Sequence, residues 1–524
     1  MISSADFSIE ACKANAFLAF SDHFIDEEIG LCKELENKNV VVCPSPVYPK
    51  AIITNVETNV EYILLNHWKY GAWHELIVPK DEISTASKIV ELSKYGIEIT
   101  STNAKNVVNA LSEILVTGRN YIPHRLSQST LGWAGTEFLP YSLKYVCDCA
   151  GKYKQFINAV TTAGSFEEWT AYFAKLRQVT EFRLMLAASF AAPLVSVVGQ
   201  NSFILHLWGG TSIGKTVALM CALSVWGNPN QGALMQTLNK TENAMLSTAG
   251  FLHNLPFGAD ELQTIKSRFQ DYDKLIMTLC EGIDRVRMHY NELNETFSWQ
   301  TSFLFTGEEP CLNQFSGGGA KNRVIEVHCK DKIVQDGNGA ANFVRENYGH
   351  AGPKFIANLD FDKAKTYYKS VCADIIATCD TTEKQAGAAA LILVADWLST
   401  ELFWPEDDRV LTIDDIEPYL ASAKEVDSAE RAYQFICDTI AEYSRNFTAD
   451  CVDRWGTIEE DGRVFFNNTV LQRVLSNAGF DFNAVKTAWA ERGYLERGKD
   501  GKFRQAKRVG TSIFSCSVIN VNLM

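Results

Sequence analysis

Eight consecutive residues carry the strongest chemistry in the chain. Gly209, Gly210, Thr211, Ser212, Ile213, Gly214, Lys215 and Thr216 follow the pattern GxxxxGK[ST]. Glycines let a backbone wrap a phosphate chain with its N–H groups pointing inward, and the helix start that follows adds positive potential. In this pattern Lys215 reaches the β- and γ-phosphates and Thr216 ligates Mg²⁺. The surroundings agree: an apolar strand-like run, 203–208, leads in, and a helical pattern, 217–225, leads out. The expected ligands are ATP and Mg²⁺.

Hydrolysis needs more than a phosphate cradle. A carboxylate on a neighbouring strand must hold the metal, and often a second one polarises the attacking water. Asp260 and Glu261 close the run 255–261 and suit those two roles, although Pro256 and Gly258 weaken the strand. The run 302–308 also ends an apolar strand in a polar residue, and Thr306 is the candidate that senses the γ-phosphate. Gly317, Gly318 and Gly319 precede Lys321 and Arg323. A flexible glycine segment that delivers one arginine suits an arginine finger, which stabilises transition-state charge in a neighbouring subunit's site. Arg323 is the first candidate and Lys321 the second.

Two further stretches have the chemistry of a nucleic-acid contact. Arg285, Arg287 and His289 alternate on one strand face before the turn-forming stretch 291–294, which reads as a β-hairpin inserted ahead of the 302–307 strand. Such hairpins, repeated around a ring, would line a channel and track a phosphate backbone. Near the C-terminus, Arg497, Lys499, Lys502, Arg504, Lys507 and Arg508 follow two helical patterns, 470–478 and 482–492. Helix, helix, strand, basic turn, strand is the order of a winged helix, which meets a duplex with its second helix and its wing.

Composition bounds these readings. The chain has 524 residues, too many for one hydrophobic core, and it is 46% hydrophobic and 21% charged, as ordinary globular proteins are. A net charge of −14 excludes a generally basic coat, so nucleic acid must be met by local strips. Fourteen scattered cysteines without a CxxC pair read as reduced, mostly structural thiols of a cytoplasmic protein, and Cys147 and Cys149 are poorly spaced for zinc. The N-terminus lacks the basic and apolar regions of a signal peptide. The stretch 184–198 is too short and broken to span a bilayer, so no membrane partner is expected.

The elements that must position these residues follow from periodicity. Residues 1–45 look helical and acidic and break at Pro44, Pro46 and Pro49. Strands are expected at 51–54, 61–65 and 73–78. Two helices follow, one capped by Ser84 and ending near Gly96, the other covering about 103–116 and ending at Gly118. Residues 201–330 alternate short apolar strands with helices, the pattern of a parallel sheet with crossovers. Residues 340–445 are almost entirely helical in pattern.

The chain resembles the DUF927 family of AAA+-type ATPases found on mobile genetic elements. The resemblance rests on Thr130-Leu131-Gly132-Trp133, the run 187–199, the phosphate loop with Leu207 and Trp208, and Ser224-Val225-Trp226-Gly227. Gly258-Ala259-Asp260-Glu261, Thr306-Gly307-Glu308 and Arg323 also match. It covers about two thirds of the chain, from residue 50 to about 400. It implies an α/β fold with an AAA+ P-loop ATPase core and a hexameric, MCM-like helicase of a mobile element. Arg285 and Arg287 fall where family members carry a basic pair.

The expected organisation is an N-terminal extension (1–45), an N-terminal α+β domain (46–150) and an ATPase core with its preceding helices (151–335). A helical lid (336–445) and a C-terminal winged helix (446–524) complete it. The expected function is ATP-driven DNA translocation by a homo-hexamer, with single-stranded DNA in the channel and a duplex at the winged helix. Lys215, Thr216, Asp260 and Glu261 act within one subunit and Arg323 on its neighbour. The alternatives are an ATP-switched DNA-binding initiator or regulator without unwinding activity, and an inactive scaffold.

Overall fold

The computed structural model describes the chain apart from residues 1–15, 27, 150–152, 238–240, 263–271, 285–287, 290–291, 294–296, 314–315, 449–450, 499, 510–511 and 522–524. The chain forms two compact units. One comprises residues 1–161 with 250–255, and the other 162–249 with 256–524.

The first unit begins with an antiparallel meander, His23–Asp26 (β1), Gly30–Leu35 (β2) and Lys38–Cys43 (β3). The helical expectation for residues 1–45 therefore fails over this segment. The β-branched run Val40–Val42 and the tight turn at Glu36 and Asn37 outweigh the helix-forming acidic residues. Leu18, Leu31, Val42 and Cys43 enter the same core as Val47 and Ile52, so the proline break near 45 does not separate two cores. Val47–Asn55 (β4), Glu61–Lys69 (β5) and Ala72–Pro79 (β6) pair antiparallel.

A second connection runs parallel. His124–Gln128 (β7) adds beside β4, and Tyr145–Cys147 (β10) adds beside β7. Between them Gly132–Ala134 (β8) and Glu137–Leu139 (β9) form a short hairpin. The helix Ala104–Thr117 turns Ala104, Val107, Ala110, Leu111 and Ile114 to the core, the three-and-four spacing of one helix face. Burying Val107, Leu111 and Ile114 contributes about 1.5–3 kcal/mol each. The helix expected after Ser84 is instead broken: Ser84 ends Lys80–Ile83, and Ala86–Ile89 runs into a 3₁₀ stretch that stops at Gly96, whose φ is +89°.

The second unit is built on a parallel sheet flanked by helices. Its strands are Phe203–Trp208 (β11), Met235–Thr237 (β12), Phe257–Asp260 (β13), Ser302–Gly307 (β16) and Val324–His328 (β17). They lie in the order β12-β13-β16-β11-β17, every pair parallel. Met288–His289 (β14) and Glu292–Leu293 (β15) form a separate antiparallel hairpin between β13 and β16 in the chain. Helices cover both faces of such a sheet, which is why β11 and β16 read as continuous apolar runs.

Helices dominate from 337 to 442. Glu383–Phe403 is long and apolar enough to cross a membrane by composition, but 78% of its apolar window is buried inside the protein. It packs on Thr180–Ala191, and the contact holds a buried ionic cluster. Asp396 accepts from Arg183 Nε at 2.7 Å and lies 3.5 Å from Arg177, which also reaches Asp407 at 2.8 Å.

The C-terminal part has Gly456–Ile458 (β18), Arg463–Asn467 (β19), Gln505–Val509 (β20) and Ser512–Asn520 (β21) in the antiparallel order β18-β19-β21-β20. Its helices Asn468–Asn477 and Phe482–Glu491 share a core with Ser428–Glu442. Trp489 sits at the centre and donates to the Ala429 carbonyl at 2.7 Å. Every described cysteine is a free thiol.

Candidate phosphate-binding site and nucleic-acid surfaces

The phosphate loop leaves β11 at Trp208 and enters the helix Lys215–Ser224 at Gly214. Two of its glycines are required. Gly209 has φ +145°, and a Cβ there would lie 2.4 Å from the Cys329 carbonyl oxygen; Gly214 has φ +100°, and a Cβ there would meet the Val334 side chain at 2.8 Å. Ser212 takes a left-handed turn without being glycine, at φ 63°. A segment after β17 straps the loop from outside, because the Ile333 amide donates to the Ile213 carbonyl at 2.9 Å.

Lys215 is folded into this loop. Its ammonium donates to the Gly209 carbonyl at 2.9 Å and to the Gly210 carbonyl at 2.5 Å. Burial pulls its pKa below the usual value, while Cys329, Glu308 and Asp260 act in the opposite sense. Beside it opens a cavity of about 460 Å³, lined by Ser212, Lys215, Thr216, Lys332, Gln335 and Asp336 among others. The last three belong to the strap. Sequence reasoning missed them; the one available signal was a polar stretch directly after an apolar strand.

The sheet brings the expected acid and sensor together. Ala259 pairs with Phe305, and Leu207 with Thr306, so β13, β16 and β11 end along one edge. There the Thr306 hydroxyl donates a short hydrogen bond to Asp260 Oδ1. Glu261 follows with φ 62°, and its amide is held by Asp260 Oδ1 at 3.0 Å. Gly258 does more than weaken its strand. A Cβ there would lie 2.7 Å from the Leu223 side chain, so the glycine lets the helix of the phosphate loop sit directly on β13.

Arg323 corrects one expectation. The glycines before it do not form a flexible arm. Gly318–Lys321 is a turn of helix, and a Cβ at Gly318 would strike the Val426 carbonyl oxygen at 2.1 Å. The arginine is mostly buried; it donates to the Gly319 carbonyl at 2.8 Å and lies 3.7 Å from Glu281. Gln385, at the start of the helix Glu383–Phe403, holds this corner by donating to the carbonyls of Lys321 and Val324 at 2.7 and 2.8 Å.

Of the basic candidates, Arg285, Arg287 and Lys499 lie outside the described residues. The backbone of His289 pairs with Glu292 across the β14–β15 hairpin. The hairpin is anchored at its base: the Trp299 amide donates to the Gly282 carbonyl at 2.8 Å, and the buried Trp299 ring donates to the Leu279 carbonyl at 2.7 Å. Lys502 and Arg504 are exposed on the approach to β20. Lys507 is engaged in the fold, bonded to Glu459 at 2.6 Å and lying 3.9 Å above the Phe465 ring.

Comparison with known proteins places this geometry among relatives. A model described as "Cch helix turn helix domain" matches residues 427–524. The solved structure described as "SCCmec type IV Cch - active helicase" superposes with a TM-score of 0.72 at 20% identity, over 95% of this chain and 97% of that one. The apo C-terminal region of NrS-1 aligns over 91% of this chain and 96% of that one, with a TM-score of 0.33 and 8% identity. Among curated proteins none matches. The family model described as "Domain of unknown function (DUF927)" covers residues 27–292, just over half of the chain, and the chain is a member of the DUF927 family.

Proposed function

We propose that the chain is an ATP-dependent DNA helicase or translocase that works as a hexameric ring in the replication of a mobile element. The observation that carries this reading is the bond between Thr306 and Asp260 at the sheet edge where β11 delivers Lys215 and Thr216. A phosphate loop, a carboxylate and a polar sensor on three adjacent parallel strands are the parts a P-loop ATPase needs. The parallel order β12-β13-β16-β11-β17 supports reading this sheet as an AAA+ core and the helices from 337 onward as its lid. The likeness in fold to a structure described as an active helicase supports the same reading.

The residues present suit Mg²⁺ and ATP. The left-handed glycines leave a cradle that a Cβ would fill, and Thr216 and Asp260 are hard oxygen donors that would hold the metal. Mg²⁺, when bound, neutralises charge on the β- and γ-phosphate oxygens. Lys215 exchanges its loop carbonyls for phosphate oxygens. Thr306 fixes the Asp260 carboxylate and reports the γ-phosphate, and Glu261 orients the attacking water. Arg323 acts on the neighbouring subunit, giving up Glu281 for a developing phosphate charge. Arg285, Arg287 and His289 are the residues that would meet single-stranded DNA in the channel. The C-terminal winged helix presents Lys499, Lys502 and Arg504 to a duplex.

The test is ATP hydrolysis with and without single-stranded DNA, wild type beside Lys215→Ala, with particle mass followed in the same samples. DNA-stimulated turnover in a hexamer-sized particle, lost in the variant, is the expected result. Slow turnover indifferent to DNA, in a monomer or dimer, would replace this reading with the ATP-switched initiator.

A further inference from the structure

Away from the phosphate loop, the second unit brings together three donors that its ATPase reading does not use. His206 lies on β11 and Glu326 on β17, and the two are direct partners across the parallel pair. Cys311 follows β16 by a few residues. One donor atom from each lies within 4.8 Å of the others. His206 Nδ1 is 3.4 Å from Glu326 Oε1. Two ligands on one tetrahedral zinc, with bonds of about 2.0–2.3 Å, stand roughly that far apart.

The donors are also oriented. The amides of Cys311 and Leu312 donate to Glu326 Oε1 at 2.5 and 3.2 Å, which fixes the carboxylate against the segment that carries the thiol. Partners of this kind around first ligands are what metal sites use to set orientation and basicity. His206 and Cys311 are buried and Glu326 is half-buried. A sulfur, an imidazole and a carboxylate in a dry environment select zinc over magnesium or calcium.

We propose that His206, Cys311 and Glu326 bind a Zn²⁺ ion, with water as the fourth ligand. Binding exchanges the Cys311 thiol proton for the metal, and that proton leaves to solvent. The ion ties the strand that feeds the phosphate loop to the strand that follows Arg323 and to the segment that follows Thr306.

The experiment is metal analysis of the full chain after dialysis against a weak chelator, for wild type and Cys311→Ser. About one zinc per chain is expected in the wild type, as a three-ligand site with one water requires, and less than a tenth of that in the variant. A strong chelator lowers the thermal midpoint of the wild type and leaves the variant unmoved. Reconstitution of the wild type with Co²⁺ gives a thiolate-to-cobalt charge-transfer band, a readout that survives even if the variant does not fold. A wild type that takes up neither ion, or a folded Cys311→Ser chain that keeps its zinc, overturns the proposal and leaves His206 and Glu326 as a buried hydrogen-bonded pair.

Discussion

The Thr306 hydroxyl donates to Asp260 Oδ1, and the same carboxylate oxygen also holds the Glu261 amide. Removing the hydroxyl while keeping the shape isolates this contact. Thr306→Val is expected to lower the ATP turnover rate on the order of 100–1000-fold, the size seen when one preorganised donor is lost. Nucleotide affinity should stay close to that of the wild type, because Lys215 and the loop amides are untouched. Steady-state kinetics beside a nucleotide-binding titration checks this, and an unchanged turnover rate would remove Thr306 from the machinery. The meeting of Thr306 with Asp260 was legible in the sequence to the extent that both close apolar runs, and parallel strands put such ends along one edge. Lys332, Gln335 and Asp336 were not, since their place beside Lys215 depends on a strap crossing back over the loop. The His206, Cys311 and Glu326 set was invisible for a similar reason: its members meet only through the pairing of β11 with β17 and the segment that follows β16.

Among the elements, the glycine at the start of the phosphate-loop helix and the ionic contact beneath the long helix make opposite demands. Gly214 is needed for its backbone. Gly214→Ala places a Cβ at φ +100° and 2.8 Å from Val334, so it should strain the loop by about 1–3 kcal/mol and weaken nucleotide binding more than it lowers the melting temperature. Asp396 is needed for its charge. Asp396→Asn leaves the Arg177 and Arg183 guanidinium groups buried with Asp407 as the one carboxylate beside them among the described residues. Breaking a buried pair from one side costs about 3–5 kcal/mol, and denaturant unfolding should show a loss of that order. A loss below about 1 kcal/mol would mean that water reaches the cluster. The apolar stretch 385–398 announced this helix plainly, yet nothing in its pattern marked Asp396 as the partner of residues two hundred positions away. Local propensity misled at residues 23–43, where acidic helix formers sit in a meander whose pairing is decided by the core it joins.

For the whole molecule, the decisive question is whether one chain completes another's site. Arg323 is tied to Gly319 and Glu281 within its own chain. If it acts on a neighbour, Arg323→Ala and Lys215→Ala damage different halves of one shared interface. Each variant alone should retain under about a hundredth of wild-type turnover, as loss of an arginine finger or a phosphate-loop lysine entails. Mixed before assembly, the two should regain activity, because some interfaces then pair an intact Lys215 with an intact Arg323. Activity measured across mixing ratios should rise to a maximum near equal amounts. A mixture no more active than the sum of its parts would place Arg323 in a purely structural role at the corner held by Gln385, and with it would fall the ring.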